Sequence, residues 1–126
     1  MARSTILVIE DNDLNMMLTT DLLEIAGYAV LQAFDAETGI ETAREKLPDL
    51  ILMDLALPRI DGLTAVRLLK ADPATRHIPV VALTAHAMLG DERKALDAGC
   101  AGYIAKPIDA NRFPAKIEEY LKRGTS

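Results

Sequence analysis

LILMDL, residues 50–55, runs through four apolar side chains before it meets a single carboxylate, Asp54. A strand with one wet face would alternate apolar and polar residues. An unbroken apolar run of this length fits a parallel strand covered on both faces. TILVI (5–9) and PVVALT (79–84) have the same character, while AVLQAF (29–34) and GYIAK (102–106) read as two further short strands.

Helical patterns fill the spaces between them. Leu14, Met17, Leu18, Leu22 and Ile25 recur at three- and four-residue spacing, a stripe expected to face the core, and Gly27 is placed to stop that helix. Residues 36–47 form a second helix ended by Pro48, and residues 62–71 a third, with Leu63, Val66 and Leu69 inward and Leu68 nearer the edge. A fourth spans about His86 to Ala98 and closes at Gly99; Gly90 weakens its start by about 1 kcal/mol relative to alanine. The last carries Phe113, Ile117, Tyr120 and Leu121 on one stripe. Its start is expected near Asn111, which brings Pro114 into the first turn, where a missing N–H is tolerated.

Five strands alternating with five helices give an open, doubly wound α/β domain. It is expected to occupy residues 1–126 as one unit, with 122–126 a frayed tail. Of 126 residues, half are apolar and a quarter charged, ordinary proportions for a globular protein. The net charge of −5 argues against a nucleic-acid surface. No apolar run approaches the ~20 residues of a membrane span, and the N-terminus lacks a signal-peptide pattern, so a cytoplasmic location is expected. One cysteine, Cys100, allows neither an internal disulfide nor a multi-thiolate metal site, and its small neighbours suit plain packing.

In such sheets the functional crevice lies beyond the carboxyl ends of the strands, where the strand order switches. With the order 2-1-3-4-5, the first and third strands are neighbours. Glu10 and Asp11 at the end of one and Asp54 at the end of the other then converge. Three carboxylates repel and raise one another's pKa unless a cation intervenes, and an all-oxygen set suits Mg²⁺ or Mn²⁺ rather than zinc. Thr84 and Lys106 close the fourth and fifth strands, where they can reach an anion lying over Asp54. A carboxylate beside a metal, a lysine and a hydroxyl is arranged to accept a phosphoryl group as an aspartyl phosphate. Asn12 and Asn15 are placed to cap or line the start of the first helix.

VIEDN (8–12), LILMDLALPRIDG (50–62), VALTA (81–85) and YIAKP (103–107), in this order and spacing, resemble the signature segments of bacterial response-regulator receiver domains. The resemblance covers essentially the whole chain. It implies a flavodoxin-like receiver fold with Asp54 as phosphoacceptor, Asp11 as direct metal ligand, Glu10 acting largely through water and the Ala56 carbonyl as a further ligand. It also implies that Thr84 and Lys106 contact the phosphoryl group. Tyr103 would be the aromatic whose rotamer follows Thr84, passing the signal to the face of the fourth helix, fifth strand and fifth helix. Lys106-Pro107 matches a step often found cis. His86 and Ala56 would line the path of attacking water and permit only slow self-hydrolysis, although a plain helix-start histidine fits His86 equally. EDNDLN (10–15) and the small chain also resemble stand-alone receivers of the DivK type, which act in cell-cycle and developmental phosphorelays.

The implied partners are a histidine kinase or histidine phosphotransferase and a downstream protein target. The chain ends about 20 residues after Lys106, too few for an output domain, so output is expected through protein contacts. A flavodoxin-like electron carrier fails because EDND would repel the phosphate its first loop must cradle. An aspartyl-nucleophile phosphatase generally wants a second acid near the nucleophile, and position 56 is alanine. A phosphate-independent binding module would be expected to have lost Asp54, Lys106 or the acid pair. The reading is a signalling switch, not a turnover enzyme.

Overall fold

The computed structural model describes residues 3–57, 61–85 and 90–125. In chain order the elements are β1 (Thr5–Ile9), α1 (Asp13–Ile25), β2 (Ala29–Ala33), α2 (Ala36–Lys46), β3 (Leu50–Asp54), α3 (Gly62–Ala71), β4 (Val80–Thr84), α4 (Asp91–Ala98), β5 (Gly102–Ala105) and α5 (Phe113–Thr125). The strands form one parallel sheet in the order β2-β1-β3-β4-β5. The expected doubly wound topology is therefore the one observed.

Every residue of β3 and β4 is buried, as their continuous apolar runs require. Successive side chains point to opposite faces of the sheet and feed two separate cores. Leu7, Ile9, Ile51, Met53, Val80 and Ala82 pack against α2, α3 and α4. Ile6, Val8, Leu50, Leu52, Val81 and Leu83 pack against Met16 and Leu23 of α1 and Phe113 and Ile117 of α5. Cys100 is buried in the first of these cores, in the packing role expected of it.

Local signals set most helix ends. The Asn12, Asp35 and Asp61 side chains accept hydrogen bonds from the N–H groups of Asn15, Thr38 and Thr64, satisfying donors that have no partner within α1, α2 and α3. Beyond the other end of α1, Gly27 takes the left-handed conformation at φ 98°.

Three expectations need correction. The stripe assigned inward on α1 points mostly outward: Leu14 is 58% exposed and Ile25 84%, with Met17 and Leu18 also exposed, while Met16, Thr19 and Leu23 are buried. Both sets satisfy three- and four-residue spacing, so periodicity alone could not choose between them. Gly90 precedes α4 as its N-cap at φ 88° and so lies outside the helix it was expected to weaken. The expected opening of α4, including His86, lies outside the described residues. Finally, α5 starts at Phe113 rather than near Asn111, still with Pro114 in its first turn. It continues to Thr125, into the stretch expected to fray, and a Lys122–Glu118 pair spans one of its last turns.

Candidate functional site

The carboxyl ends of β1, β3, β4 and β5 meet at one edge of the sheet. Parallel pairing sets their levels: Ile9 lies opposite Met53, Asp54 opposite Leu83 and Thr84 opposite Ala105. The residue following each strand is therefore carried to the same rim. Glu10 is fixed there by its own N–H, which donates to the Ala33 carbonyl at 3.0 Å, and Lys106 by its N–H, which donates to the Thr84 carbonyl at 2.8 Å. The Lys106–Pro107 peptide is cis.

At this rim Glu10, Asp11 and Asp54 each offer a carboxylate oxygen, all within 4.8 Å of one another. Glu10 and Asp54 are buried and Asp11 is exposed. The Lys106 ammonium bridges the two buried acids, 2.9 Å from Glu10 Oε1 and 3.2 Å from Asp54 Oδ2. Backbone donors take the other oxygens: the Ala56 N–H donates to Asp54 Oδ1 at 3.0 Å and the Asn12 N–H to Glu10 Oε2 at 3.3 Å. Burial and the neighbouring Asp54 push the Glu10 carboxyl up to about 7, against the opposing pull of Lys106. Burial disfavours the Lys106 ammonium, but its hydrogen bond to Glu10 and the charges of both acids outweigh this and raise its pKa.

One lysine cannot neutralise three converging carboxylates, and the donor set is all oxygen, one oxygen from each acid. This set fits a hard divalent cation. Thr84 is buried at the end of β4 and, with Asp54 and Lys106, lines a cavity of about 240 Å³ beside the acidic cluster. The expected set Glu10, Asp11, Asp54, Thr84 and Lys106 is thus brought together.

Tyr103 lies outside this cavity. It is half-buried on β5, packed against the core, and the Glu92 carboxylate of α4 beside its hydroxyl raises its pKa. Sequence reasoning missed three groups. Lys94 of α4 and Asp61, the N-cap of α3, line the same cavity, and neither carries a strand-end signal. An apolar groove of about 490 Å³ runs between α1 and the chain after β5, lined by Leu18, Leu22, Pro107, Ile108 and Ala110, with Glu10 and Lys106 at one side. Nothing in the sequence marks it, because the exposed stripe of α1 is as apolar as the buried one.

The response regulator receiver domain family model matches residues 6–118. The polar-differentiation response regulator DivK of Brucella anthropi is 46% identical over 117 residues, covering 93% of this chain and 95% of that protein. The receiver domain of a sensor histidine kinase from Pseudomonas aeruginosa, solved with a magnesium ion coordinated in its active-site cleft, superposes with a TM-score of 0.89. It is 34% identical, over 96% of this chain and 99% of that one. A CheY-like receiver domain protein from Methanospirillum hungatei gives a TM-score of 0.88 at 27% identity, covering 98% of each chain. The acid cluster, the bridging lysine and the 2-1-3-4-5 sheet therefore have one common explanation: the chain belongs to the response-regulator receiver domains.

Proposed function

We propose that this receiver accepts a phosphoryl group on Asp54 from a phosphohistidine donor in a Mg²⁺-dependent reaction and thereby changes its protein contacts in a two-component phosphorelay. The observation that carries this reading is the placing of Asp54: buried, backbone-oriented by the Ala56 N–H, within 3.2 Å of Lys106 and beside two further acids. Glu10, Asp11, Asp54 and the Ala56 carbonyl would hold the cation, with Glu10 acting largely through water, and Mn²⁺ has the same preference for hard oxygen donors. A bound divalent cation would supply charge neutralisation for the phosphoryl oxygens.

The chain's own residues do the rest. An Asp54 carboxylate oxygen forms the new P–O bond while the donor's P–N bond breaks, and the departing imidazole takes up a proton. Lys106 and the Thr84 hydroxyl bind the transferred oxygens, in a transition state whose charge lies mostly on them. The aspartyl phosphate then shifts a two-state equilibrium, through Thr84 and Tyr103, at the face of α4, β5 and α5 where a downstream target binds. Glu92 beside the Tyr103 hydroxyl supports this coupling, because it ties the tyrosine to α4.

The donor, a histidine kinase or histidine phosphotransferase, is seated on the exposed stripe of α1 and the groove beside it. That apolar surface reaches the rim at Glu10 and Lys106.

The protein is proposed to act as a single receiver domain over residues 1–126 in the cytoplasm, without nucleic acid or membrane. Among the described residues no helix is long and apolar enough to cross a membrane. The likeness to DivK over nearly its whole length favours a stand-alone receiver in cell-cycle or polar-differentiation control. The role is a switch and not a turnover enzyme. Position 56 offers Asp54 only a backbone N–H, and Asp61 Oδ1 is engaged in capping α3. A binding module indifferent to phosphate would have no use for the retained acid cluster and lysine.

The test is intact-mass spectrometry after incubation with phosphoramidate, a small donor with the same P–N linkage as phosphohistidine. One added phosphoryl group that requires Mg²⁺ and is absent from Asp54→Asn is expected. No adduct under any condition would leave the phosphate-independent module.

A further inference from the structure

The neutralisation at the rim is incomplete for the phosphorylated protein. With a divalent cation bound, Glu10 and Asp11 contribute two negative charges, and a phosphoryl group on Asp54 brings close to two more. Against them stand the Lys106 ammonium and one divalent cation, so about one negative charge remains uncompensated. In a partly buried cavity such an excess is costly, because screening by water is reduced.

Among the described residues, Lys94 is the one further cation that lines the cavity containing Asp54, Thr84 and Lys106. Its ammonium makes no ion pair among the described residues. Asp97, three residues on along the helix, faces Arg93 instead, at 3.9 Å. Lys94 also belongs to α4, the helix whose Glu92 lies beside the Tyr103 hydroxyl. Two residues apart, α4 therefore carries one contact to the tyrosine of β5 and one cation at the mouth of the phosphoryl site. Its N-cap, Gly90, supplies no side-chain hydrogen bond.

We infer that Lys94 is a second phosphoryl-binding cation: it contacts the phosphoryl oxygens on Asp54 from the α4 side and holds α4 in place when they are present. The inference rests on the receiver reading above. It adds a direct electrostatic link from the phosphoryl group to α4, alongside the route through Thr84 and Tyr103. Charge-assisted contacts of this kind are the stronger ones, and a positioned cation acts where charge develops during transfer.

The experiment compares wild type, Lys94→Ala, Lys94→Arg and, as a control for lost surface charge, Lys46→Ala at the end of α2. Labelling by acetyl phosphate with Mg²⁺ is followed by intact mass, and hydrogen exchange is measured over residues 90–98 before and after labelling. Lys94 is an exposed helix residue, so an unchanged thermal midpoint is expected and is checked for each variant. Lys94→Ala is expected to label about tenfold more slowly, Lys94→Arg to stay within about threefold of wild type, and Lys46→Ala to match it. Phosphorylation should slow exchange in α4 of wild type but not of Lys94→Ala, even when the latter is fully labelled after long incubation. Labelling and protection in Lys94→Ala equal to wild type would overturn the inference, as would an equal loss in Lys46→Ala. Failure of wild type itself to label would instead overturn the receiver reading and this inference with it.

Discussion

Replacing Lys106 by alanine should destabilise the metal-free protein by an amount that depends on pH in a definite direction. The lysine bridges Glu10, 1% exposed, and Asp54, 3% exposed. Breaking a buried ion pair ordinarily costs about 3–5 kcal/mol, because a charge is left without a partner. Here Glu10 has a way out. Burial and Asp54 already raise its carboxyl from 4.5 to about 7, so at pH 7 it can take a proton for less than about 1 kcal/mol. Asp54 keeps its hydrogen bond from Ala56. A loss of about 1–2 kcal/mol is therefore expected at pH 7, below the usual range.

The sign of the pH dependence follows from linkage. A carboxyl whose pKa is raised on folding contributes stability at low pH that is lost as pH rises from 4.5 through its folded value. In wild type that loss is complete a little above 7. Without Lys106, which opposes the rise, the folded value lies higher still and the loss continues. The difference between the two proteins should thus grow above pH 7, by up to about 1.4 kcal/mol per unit. Urea unfolding at pH 6, 7 and 8.5, in chelator, measures it. Equal destabilisation at all three, or less than about 0.5 kcal/mol throughout, would refute the reasoning.

Further outcomes follow from packing and exposure. A methyl group on Gly62 would lie 2.5 Å from the Asp54 carbonyl oxygen and 2.7 Å from Leu55 Cα, both backbone atoms. Gly62→Ala should therefore lose about 1–2 kcal/mol in urea despite alanine's better helix propensity, and a variant as stable as wild type would count against that packing. Leu18→Ser, on the exposed face of α1, should leave stability within about 0.5 kcal/mol and labelling by acetyl phosphate intact. It should slow transfer from a protein phosphohistidine donor about tenfold or more, consistent with loss of buried apolar contact; unchanged transfer would remove α1 from the donor surface. Burial pushes the Cys100 thiol up to about 11, so about one molecule in a thousand is thiolate at pH 8. Iodoacetamide should alkylate the folded protein at least about a hundredfold more slowly than the unfolded chain, with rapid folded-state labelling by mass the contrary result.

What the sequence revealed was whatever is written at the ends of strands. Glu10, Asp11, Asp54, Thr84 and Lys106 each end an apolar run or lie within two residues of its end, and parallel pairing carries all such positions to one rim. The central strands β1, β3 and β4 were legible for the same reason: burial on both faces leaves polar residues only at their ends. Helix faces were less legible. In α1 the outward stripe of Leu14, Met17 and Leu18 is as apolar as the buried one, so a helix with two apolar faces hid its partner surface. Lys94 was invisible as a site residue because it comes from mid-helix, where one lysine in DERKALDA looks like any solvated charge. Its place at the cavity depends on how α4 packs, which no local pattern records.

The central claim, that Asp54 takes the phosphoryl group, is tested most directly by trapping the acyl phosphate. Wild type labelled with acetyl phosphate and Mg²⁺ is reduced with borohydride, which converts an aspartyl phosphate to homoserine, and the peptide spanning residues 50–57 is sequenced by tandem mass spectrometry. Homoserine at position 54, dependent on both acetyl phosphate and Mg²⁺, is the predicted result. Homoserine at position 11 or elsewhere, or intact aspartate at position 54 in protein that carries the added mass, would contradict it.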